Sequence, residues 1–274
     1  MKRRKKLRHK KYRLVIFVNF FFGLLVSQAV LLPISFSEVT YVATVFMNPQ
    51  SVIEYIWLFG NDDFVHKLNE SDLSGPEFLS WDTGTRFNSG DCEYRLENGN
   101  EYIYIVDSGN RPNSDILIKF HANNGTEISR WDISGYSGDP DGLVWNGSSW
   151  FIADRRDDLI YQVNPGDPTI AERAFSYSGQ SNCGGLAWDG SCLWVADYGT
   201  DRIYQIDIYG IINTSWDFAP SNPFGITYDP ISQHLWIIAQ SGYLYEYHPN
   251  GTQLGSYDIS GNLPRGIAYS VFSS

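Results

Sequence analysis

The fold of this chain can be predicted from residues 185–218, GLAWDGSCLWVADYGTDRIYQIDIYGIINTSWDF. The stretch contains four short runs of aliphatic and aromatic residues, at 185–188, 193–196, 202–207 and 212–218, separated by turn sequences such as Asp189-Gly190. Short apolar runs that end at Gly and Asp are typical of β-strands joined by tight turns. A four-stranded sheet has two apolar faces to bury, so this stretch predicts copies of itself on both sides.

The same pattern returns along the chain at a regular spacing. The glycine before the first strand recurs after 43, 40 and 41 residues, at Gly142, Gly185, Gly225 and Gly266. An aromatic residue recurs in the second strand, at Trp57, Tyr104, Phe151, Trp194 and Trp236. A four-stranded repeat of about 40 residues is the signature of a β-propeller blade.

A count of the strands predicts the number of blades and how the ring closes. Five examples of each strand type are present, and the array begins at a second strand, 54–59, and ends at a first strand, 266–270. These two fragments complete one blade, because an open array would leave an exposed sheet edge. The sequence therefore predicts an all-β propeller of five four-stranded blades over residues 53–270, closed by its C-terminal strand.

The N-terminus differs from the rest of the chain in charge and hydropathy. Residues 1–13 carry nine of the twenty Lys and Arg residues, and residues 14–34 contain no charge. This pattern predicts a hydrophobic helix that is either a signal peptide, cleaved after Ala29, or an uncleaved anchor, with residues 35–52 as a linker. We therefore expect a propeller outside the cell, held at the cell membrane by this helix or secreted.

The remainder of the chain is strongly acidic. It holds eleven Lys and Arg residues against thirty-one Asp and Glu residues. A surface of this charge repels nucleic acid, so no nucleic-acid partner is expected.

Polar residues precede the innermost strand of each unit, where the fold places them around one mouth of the central channel. Their oxygen atoms suit Ca²⁺ or Mg²⁺, and the candidate ligands are Asp91, Glu93, Asp139, Asp141, Asn182 and Asn222. The alternative is that these residues only form tight turns, in which Asn and Asp are common. The same alignment makes Cys92 and Cys183 equivalent, and a disulfide between them would need Cα atoms within about 7 Å.

Two further repeated sets are expected to serve the fold. Three carboxylates end consecutive second strands and should accept hydrogen bonds from the turns that follow, namely those of Asp107, Asp154 and Asp197. Four aromatic residues share one repeat position and should pack between blades, namely Trp145, Trp188, Tyr228 and Tyr269. Aromatic residues nearer the loops, such as Tyr198 and Tyr209, are candidates for a sugar-binding or peptide-binding rim.

The runs GLAWDGSCLWVADYGTDRIYQID and GLVWNGSSWFIADRRDDLIYQVN resemble the repeats of NHL-type β-propellers and their gluconolactonase-like relatives. The resemblance covers roughly residues 53–270 and implies the fold, which hosts protein-binding scaffolds, lactonases and lyases. For a lactonase it implies a divalent metal in the channel, with Glu93, Asn182 or Asn222, and Asp141 as the matching residue types.

Two functions from different classes remain. The first is a binding or interaction module whose partner is a protein or a carbohydrate. The alternative is a divalent-metal-dependent hydrolase, with Ca²⁺ or Mg²⁺ at the mouth of the channel.

Overall fold

The computed structural model of the protein describes residues 53–60, 62–73, 79–84, 90–109, 115–260 and 264–271. The chain divides into two compact units, residues 54–271 and residues 1–53 with 272–274. The larger unit consists mainly of β-strands joined by turns, and its described residues include a 3₁₀ turn at Glu70–Asp72.

The segments predicted at 1–13, 14–34 and 35–52 lie outside the described residues. The hydrophobic helix predicted over 14–34 is therefore not confirmed. Among the residues that the structure describes, no helix is long and apolar enough to cross a bilayer. The export and anchoring roles of the N-terminus therefore stay predictions.

The larger unit is a ring of five antiparallel four-stranded blades. Each of blades 2 to 5 is a meander whose first strand is innermost. Blade 2 consists of β4 Cys92–Glu97, β5 Asn100–Asp107, β6 Ile116–His121 and β7 Glu127–Asp132, and blade 3 of β8 Pro140–Trp145, β9 Trp150–Asp154, β10 Leu159–Val163 and β11 Ala171–Phe175. Blade 4 consists of β12 Cys183–Trp188, β13 Leu193–Asp197, β14 Arg202–Ile206 and β15 Ile212–Asp217, and blade 5 of β16 Pro223–Asp229, β17 His234–Ala239, β18 Tyr243–Tyr247 and β19 Gln253–Asp258.

Blade 1 is assembled from both ends of the propeller. Its strands are β1 Val52–Gly60, β2 Phe64–Asn69, β3 Leu79–Asp82 and the C-terminal strand β20 Pro264–Ser273, and their order in the sheet is β20-β1-β2-β3. This arrangement confirms the composite blade predicted from the strand count. It also pairs the inner edge of β1, which would otherwise be exposed.

The hydrophobic core lies between neighbouring blades. Five buried clusters are present, one at each of the five interfaces, and the fully buried Trp57, Trp150 and Trp194 are among their largest members. The cluster of Ile56 and Trp236 joins blade 5 to blade 1 and so closes the ring. Removing one such aromatic side chain costs roughly 3–5 kcal/mol, because the cavity cannot collapse between two rigid sheets.

The innermost strands touch one another through their backbones at the level of the repeated glycines. A Cβ atom added to Gly142 would lie 2.1 Å from the carbonyl oxygen of Gly184, and one added to Gly185 would lie 2.5 Å from that of Phe224. Only glycine permits this approach. In blade 2 the same level is occupied by Asp91, whose Cα lies beside Gly266.

The backbone register corrects the alignment of the first full unit. Cys92 pairs with Ile105, which places it at the same level as Leu186, the partner of Val195 in blade 4. Cys183 instead pairs with Asp197, about three residues nearer the strand start. Cys92 and Cys183 are therefore not equivalent, and both thiols are buried and free.

Candidate functional site

The two ends of the central channel carry different side chains. All five inner strands run in the same direction, so their starts surround one mouth and their ends surround the other. We call the first mouth the paired end, defined by Asp139, Asp141 and Arg155. We call the second the aromatic cup, defined by Tyr94, Trp145, Trp188, Tyr228 and Tyr269.

At the paired end, two of the predicted metal ligands contact an arginine. Arg155 Nη2 lies 3.0 Å from Asp139 Oδ2, and Arg155 Nε donates to the same oxygen at 3.1 Å. Asp141 Oδ2 lies 3.6 Å from Arg155 Nη1. Burial raises the pKa of Asp141, and the Arg155 charge opposes that rise. The two carboxylates therefore share one cation that the protein itself supplies.

Aromatic side chains and a second arginine surround the same mouth. The rings of Tyr198 and Phe224 stack with centroids 5.3 Å apart, and the Arg265 guanidinium lies 4.8 Å from the centre of the Phe224 ring. Arg265 also interacts electrostatically with Asp141. The charges at this end are thus balanced by pairs within the fold.

The predicted ligands Asn182 and Asn222 are turn residues. Both adopt left-handed backbone conformations, with φ of 54° and 51°, which Asn tolerates better than most residues. Their backbone amides donate to the carboxylates of Asp158 and Asp201, respectively, in the preceding blade. The turn alternative raised from the sequence therefore accounts for their backbone geometry.

Asp91 serves the channel wall. Its Oδ1 accepts from the amides of Cys92 and Ile267, both at 2.9 Å, and its Oδ2 accepts from the Leu143 amide at 3.4 Å. Burial raises the pKa of Asp91, and these three amides oppose the rise. Because Ile267 belongs to blade 1 and Leu143 to blade 3, this side chain joins three inner strands.

Glu93 points to the opposite mouth, although it is only two residues away. Its Oε1 accepts from the Trp145 amide at 3.3 Å, and the side chain lines the aromatic cup. Burial raises the pKa of Glu93 to about 8, while the Trp145 amide and Arg95 act to lower it. The six predicted ligands are therefore divided among the paired end, two turns, the channel wall and the cup.

The aromatic cup is a cavity of about 360 Å³ at the ends of the inner strands. All five blades contribute to its lining, and each blade supplies one half-buried aromatic residue. Each ring also packs against the core cluster at its own blade interface. The packing role predicted for these residues is thus observed, together with a second surface that faces the cavity.

Polar atoms in the cup come from few residues. Both oxygens of the Asp189 carboxylate already accept hydrogen bonds within the fold. Oδ1 accepts from the amides of Ser191 and Cys192, and Oδ2 accepts from Trp194 Nε1 and Gln205 Nε2. The Ser270 hydroxyl accepts from Trp57 Nε1 at 2.8 Å. Glu93 is therefore the acid that a molecule in the cup would meet.

A second cavity, of about 620 Å³, lies beside the cup between blades 2 and 3. It is a polar groove lined by Arg95, Glu97, Lys119, Trp131 and Trp145, among others. Glu97 forms ion pairs with Arg95 at 3.0 Å and with Lys119 at 2.7 Å, which lower the pKa of Glu97 despite its partial burial. The Arg95 guanidinium lies 3.9 Å from the centre of the Trp145 ring.

One acidic cluster was not anticipated from the sequence. Ligand atoms of Glu54, Glu70 and Asp229 lie within 4.8 Å of one another, the one such trio found in the described part of the chain. Burial and the two neighbouring carboxylates raise the pKa of Glu70 to about 7, while the Tyr269 hydroxyl, 3.1 Å from Glu70 Oε2, opposes the rise. The three acids come together only because the ring closes blade 1 against blade 5.

Two of the three aspartates at the ends of second strands, Asp154 and Asp197, fix turns, as predicted. Asp154 Oδ1 accepts from the amides of Arg156 and Asp157, and its Oδ2 accepts from the Ser137 hydroxyl at 2.7 Å. Burial acts to raise the pKa of Asp154, but these hydrogen bonds hold it below its ordinary value. Asp197 accepts from the Thr200 amide in the same way.

No protein-family model and no curated protein matches the chain. Among solved structures, it is similar to a protein of unknown function from Bacteroides caccae, with 11% identity, a TM-score of 0.53 and coverage of 79% of this chain and 98% of that one. It is also similar to glutaminyl cyclase from Myxococcus xanthus (14% identity, TM-score 0.47, 64% and 76% coverage) and to a streptogramin B lyase (17%, 0.44, 78% and 71%). These likenesses concern the propeller fold alone.

Proposed function

We propose that this protein is an extracytoplasmic binding module that takes a compact ligand, or one exposed group of a larger partner, in the aromatic cup. The observation that carries the proposal is the set of five half-buried aromatic side chains, one from each blade, around one cavity of about 360 Å³. The predicted N-terminal export segment supports a location outside the cell, either tethered or secreted.

The size and the lining of the cup favour ligand binding. Small-molecule sites typically enclose about 300–1,000 Å³ and combine apolar walls with a few polar groups. Aromatic walls bring a large contact area and little side-chain entropy, and rings that already pack against a core lose less freedom on binding. A sugar ring, an amino-acid side chain or a chain terminus is the size of occupant that fits.

The alternative, a metal-dependent hydrolase at the paired end, has less support. Arg155 already neutralises Asp139 and Asp141, and a divalent cation would have to displace its guanidinium. Membership of the NHL-like or gluconolactonase-like group, with the metal chemistry that this resemblance implies, stays a proposal.

Ligand-observed NMR with a fragment library tests the proposed site. Wild-type protein should give saturation-transfer signals for a subset of fragments, and Trp188→Leu should remove most of them, because it removes one wall of the cup. Trp131→Leu is the matched control, since Trp131 lines the neighbouring groove and not the cup. If the signals survive Trp188→Leu, or if Trp131→Leu removes them equally, the cup is not the binding site.

A further inference from the structure

Glu93 is the feature of the cup that no other blade repeats. At the same register, the other inner strands carry Val144, Ala187, Thr227 and Ala268. An aliphatic residue or threonine would suffice for packing there, because Val144 and Ala187 are buried in the cores between blades. The acid is thus an addition to the repeat, and it lies in the cavity wall.

The two oxygens of the Glu93 carboxyl group differ in their hydrogen bonding. Glu93 Oε1 accepts from the Trp145 amide, whereas no donor to Oε2 is found among the described residues. An ionised carboxylate in an apolar cavity is costly unless a cation or hydrogen-bond donors reach it. The cup therefore favours an occupant that brings a positive charge to Glu93.

The charges around the cup lead to the same class of ligand. Among the described residues, the lining includes two acids, Glu93 and Asp189, and no Lys, Arg or His. Arg95, the nearest cation along the strand, lines the neighbouring groove and pairs with Glu97. Aromatic walls attract cations through their π-electrons, and the acidic body of the protein steers cations towards it.

We propose that the occupant of the aromatic cup is an organic ammonium group, held by the Glu93 carboxylate and by the surrounding aromatic rings. The proposal rests on the proposed function, because it names the ligand class of that same site. An anionic ligand would be repelled by Glu93. A neutral ligand would leave Glu93 either protonated or ionised without a partner charge.

The protonation of Glu93 makes this binding depend on pH. The charged and titratable groups around it are Asp91, Cys92, Tyr94 and Arg95 on its own strand, and Asp189, Tyr228 and Tyr269 in the other walls. Because the pKa of Glu93 lies at about 8, an ammonium ligand must displace its proton near neutral pH. Affinity should therefore rise between pH 6 and 9, by up to about a hundredfold.

Isothermal titration calorimetry on the full-length protein at pH 8.5 tests the ligand class with matched probes. Choline and 3,3-dimethylbutan-1-ol have nearly the same shape, but only choline is charged; n-butylammonium adds N–H donors. The proposal predicts that at least one of the two cations binds about tenfold more tightly than the alcohol. Glu93→Gln should remove most of this preference and its pH dependence, because the aromatic rings alone attract cations more weakly.

Controls separate the ligand class from the site itself. Glu97→Gln removes a carboxylate that faces the neighbouring groove, and it should leave the preference for cations intact. Glu70→Gln removes the other carboxyl group that titrates near neutral pH, beside Tyr269, and it serves as the control for the pH dependence. Equal affinity for the cations and the alcohol, with all binding lost in Trp188→Leu, would overturn the ammonium proposal and retain the cup. Binding that Trp188→Leu does not weaken would overturn both proposals, whereas no binding of any probe would overturn the ammonium proposal and leave the cup to the fragment screen.

Discussion

The two mouths of the central channel differ in how their acids are satisfied. At the paired end, Asp139 and Asp141 meet Arg155, and each buried charge has a partner from the fold. In the aromatic cup, Glu93 receives one backbone amide, and its remaining capacity is directed to a cavity. One end is internally neutral and the other is complete only with a ligand. The number of acidic residues at a mouth is therefore a poor guide to ligand binding. What matters is whether the fold itself supplies partners for their charges.

The largest effect is expected where the two ends meet, at the channel wall. Asp91→Ala would leave the amides of Cys92, Ile267 and Leu143 without their acceptor and create a cavity between three inner strands. We expect a loss of about 3 kcal/mol or more in the free energy of unfolding, measured by urea denaturation. Asp258→Ala, at an exposed turn, should cost well under half as much. Equal losses would show that Asp91 does not join the strands.

Removing the arginine should convert the paired end into an unsatisfied one. Arg155→Met would leave Asp141 buried without its nearest cation, and we expect a loss of about 2 kcal/mol. Added Ca²⁺ should then raise the melting temperature of this variant more than that of the wild type, because the freed carboxylates suit a hard cation.

Arg156→Met provides the control for that change. Arg156 is exposed and its contact with Asp157 is loose, at 3.6 Å, so its loss should alter stability by less than about 0.5 kcal/mol. If the two arginine variants behave alike, the paired end is not held by Arg155. If Ca²⁺ already stabilises the wild type through Asp139 and Asp141, the contrast between the two mouths is wrong.

The free energy of unfolding should depend on pH through Glu93, the acid of the aromatic cup. The folded protein holds the proton of Glu93 up to a pKa of about 8, whereas the unfolded chain releases it near its ordinary value, so this contribution is full below about pH 4.5 and is lost as the pH rises to 8. Glu70, with a pKa of about 7, contributes in the same direction. We expect the free energy of unfolding of Glu93→Gln, measured in thermal melts, to be less sensitive to pH than that of the wild type, by up to about 4 kcal/mol between pH 5 and 8.5.

The acid at the paired end offers the comparison for that measurement. Burial also raises the pKa of Asp141, but Arg155 opposes that rise, so the paired end should contribute less to the pH dependence than Glu93 does. Asp141→Asn should therefore change the slope between pH 6 and 8.5 less than Glu93→Gln does. If the pH dependence of stability persists in Glu93→Gln and disappears in Asp141→Asn, the titrating acid lies at the paired end and not in the aromatic cup.

The repeat made the fold predictable, and departures from it hid the site. Glycine and aromatic positions recur strictly enough to count five blades and to predict that β20 completes blade 1. The first full unit has Asp91 in place of the glycine, and the alignment that made Cys92 and Cys183 equivalent therefore gave this unit a shifted register. A small shift changes which face and which mouth a side chain reaches, so Glu93 was grouped with Asp139 and Asp141 at the opposite end.

The acidic cluster that ring closure brings together had no sequence signal. Glu54, Glu70 and Asp229 are near neighbours in space, but the residues between the last and the other two span most of the propeller. The recurring aromatic residues were recognised in the sequence, but packing between blades was a sufficient explanation for them. Only the structure shows that these side chains also line the cavity of the aromatic cup. The side chains of the N-terminal segment lie outside the described residues, so its predicted role in export is unaltered.

An ¹⁵N–¹H correlation spectrum recorded during titration with n-butylammonium compares the two mouths in one experiment. The account predicts that the indole N–H signals of Trp145 and Trp188 move with increasing ligand, while the Nε–H signal of Arg155 stays in place. Shifts at Arg155 without shifts at either tryptophan would contradict the claim that the aromatic cup is the binding end of the propeller.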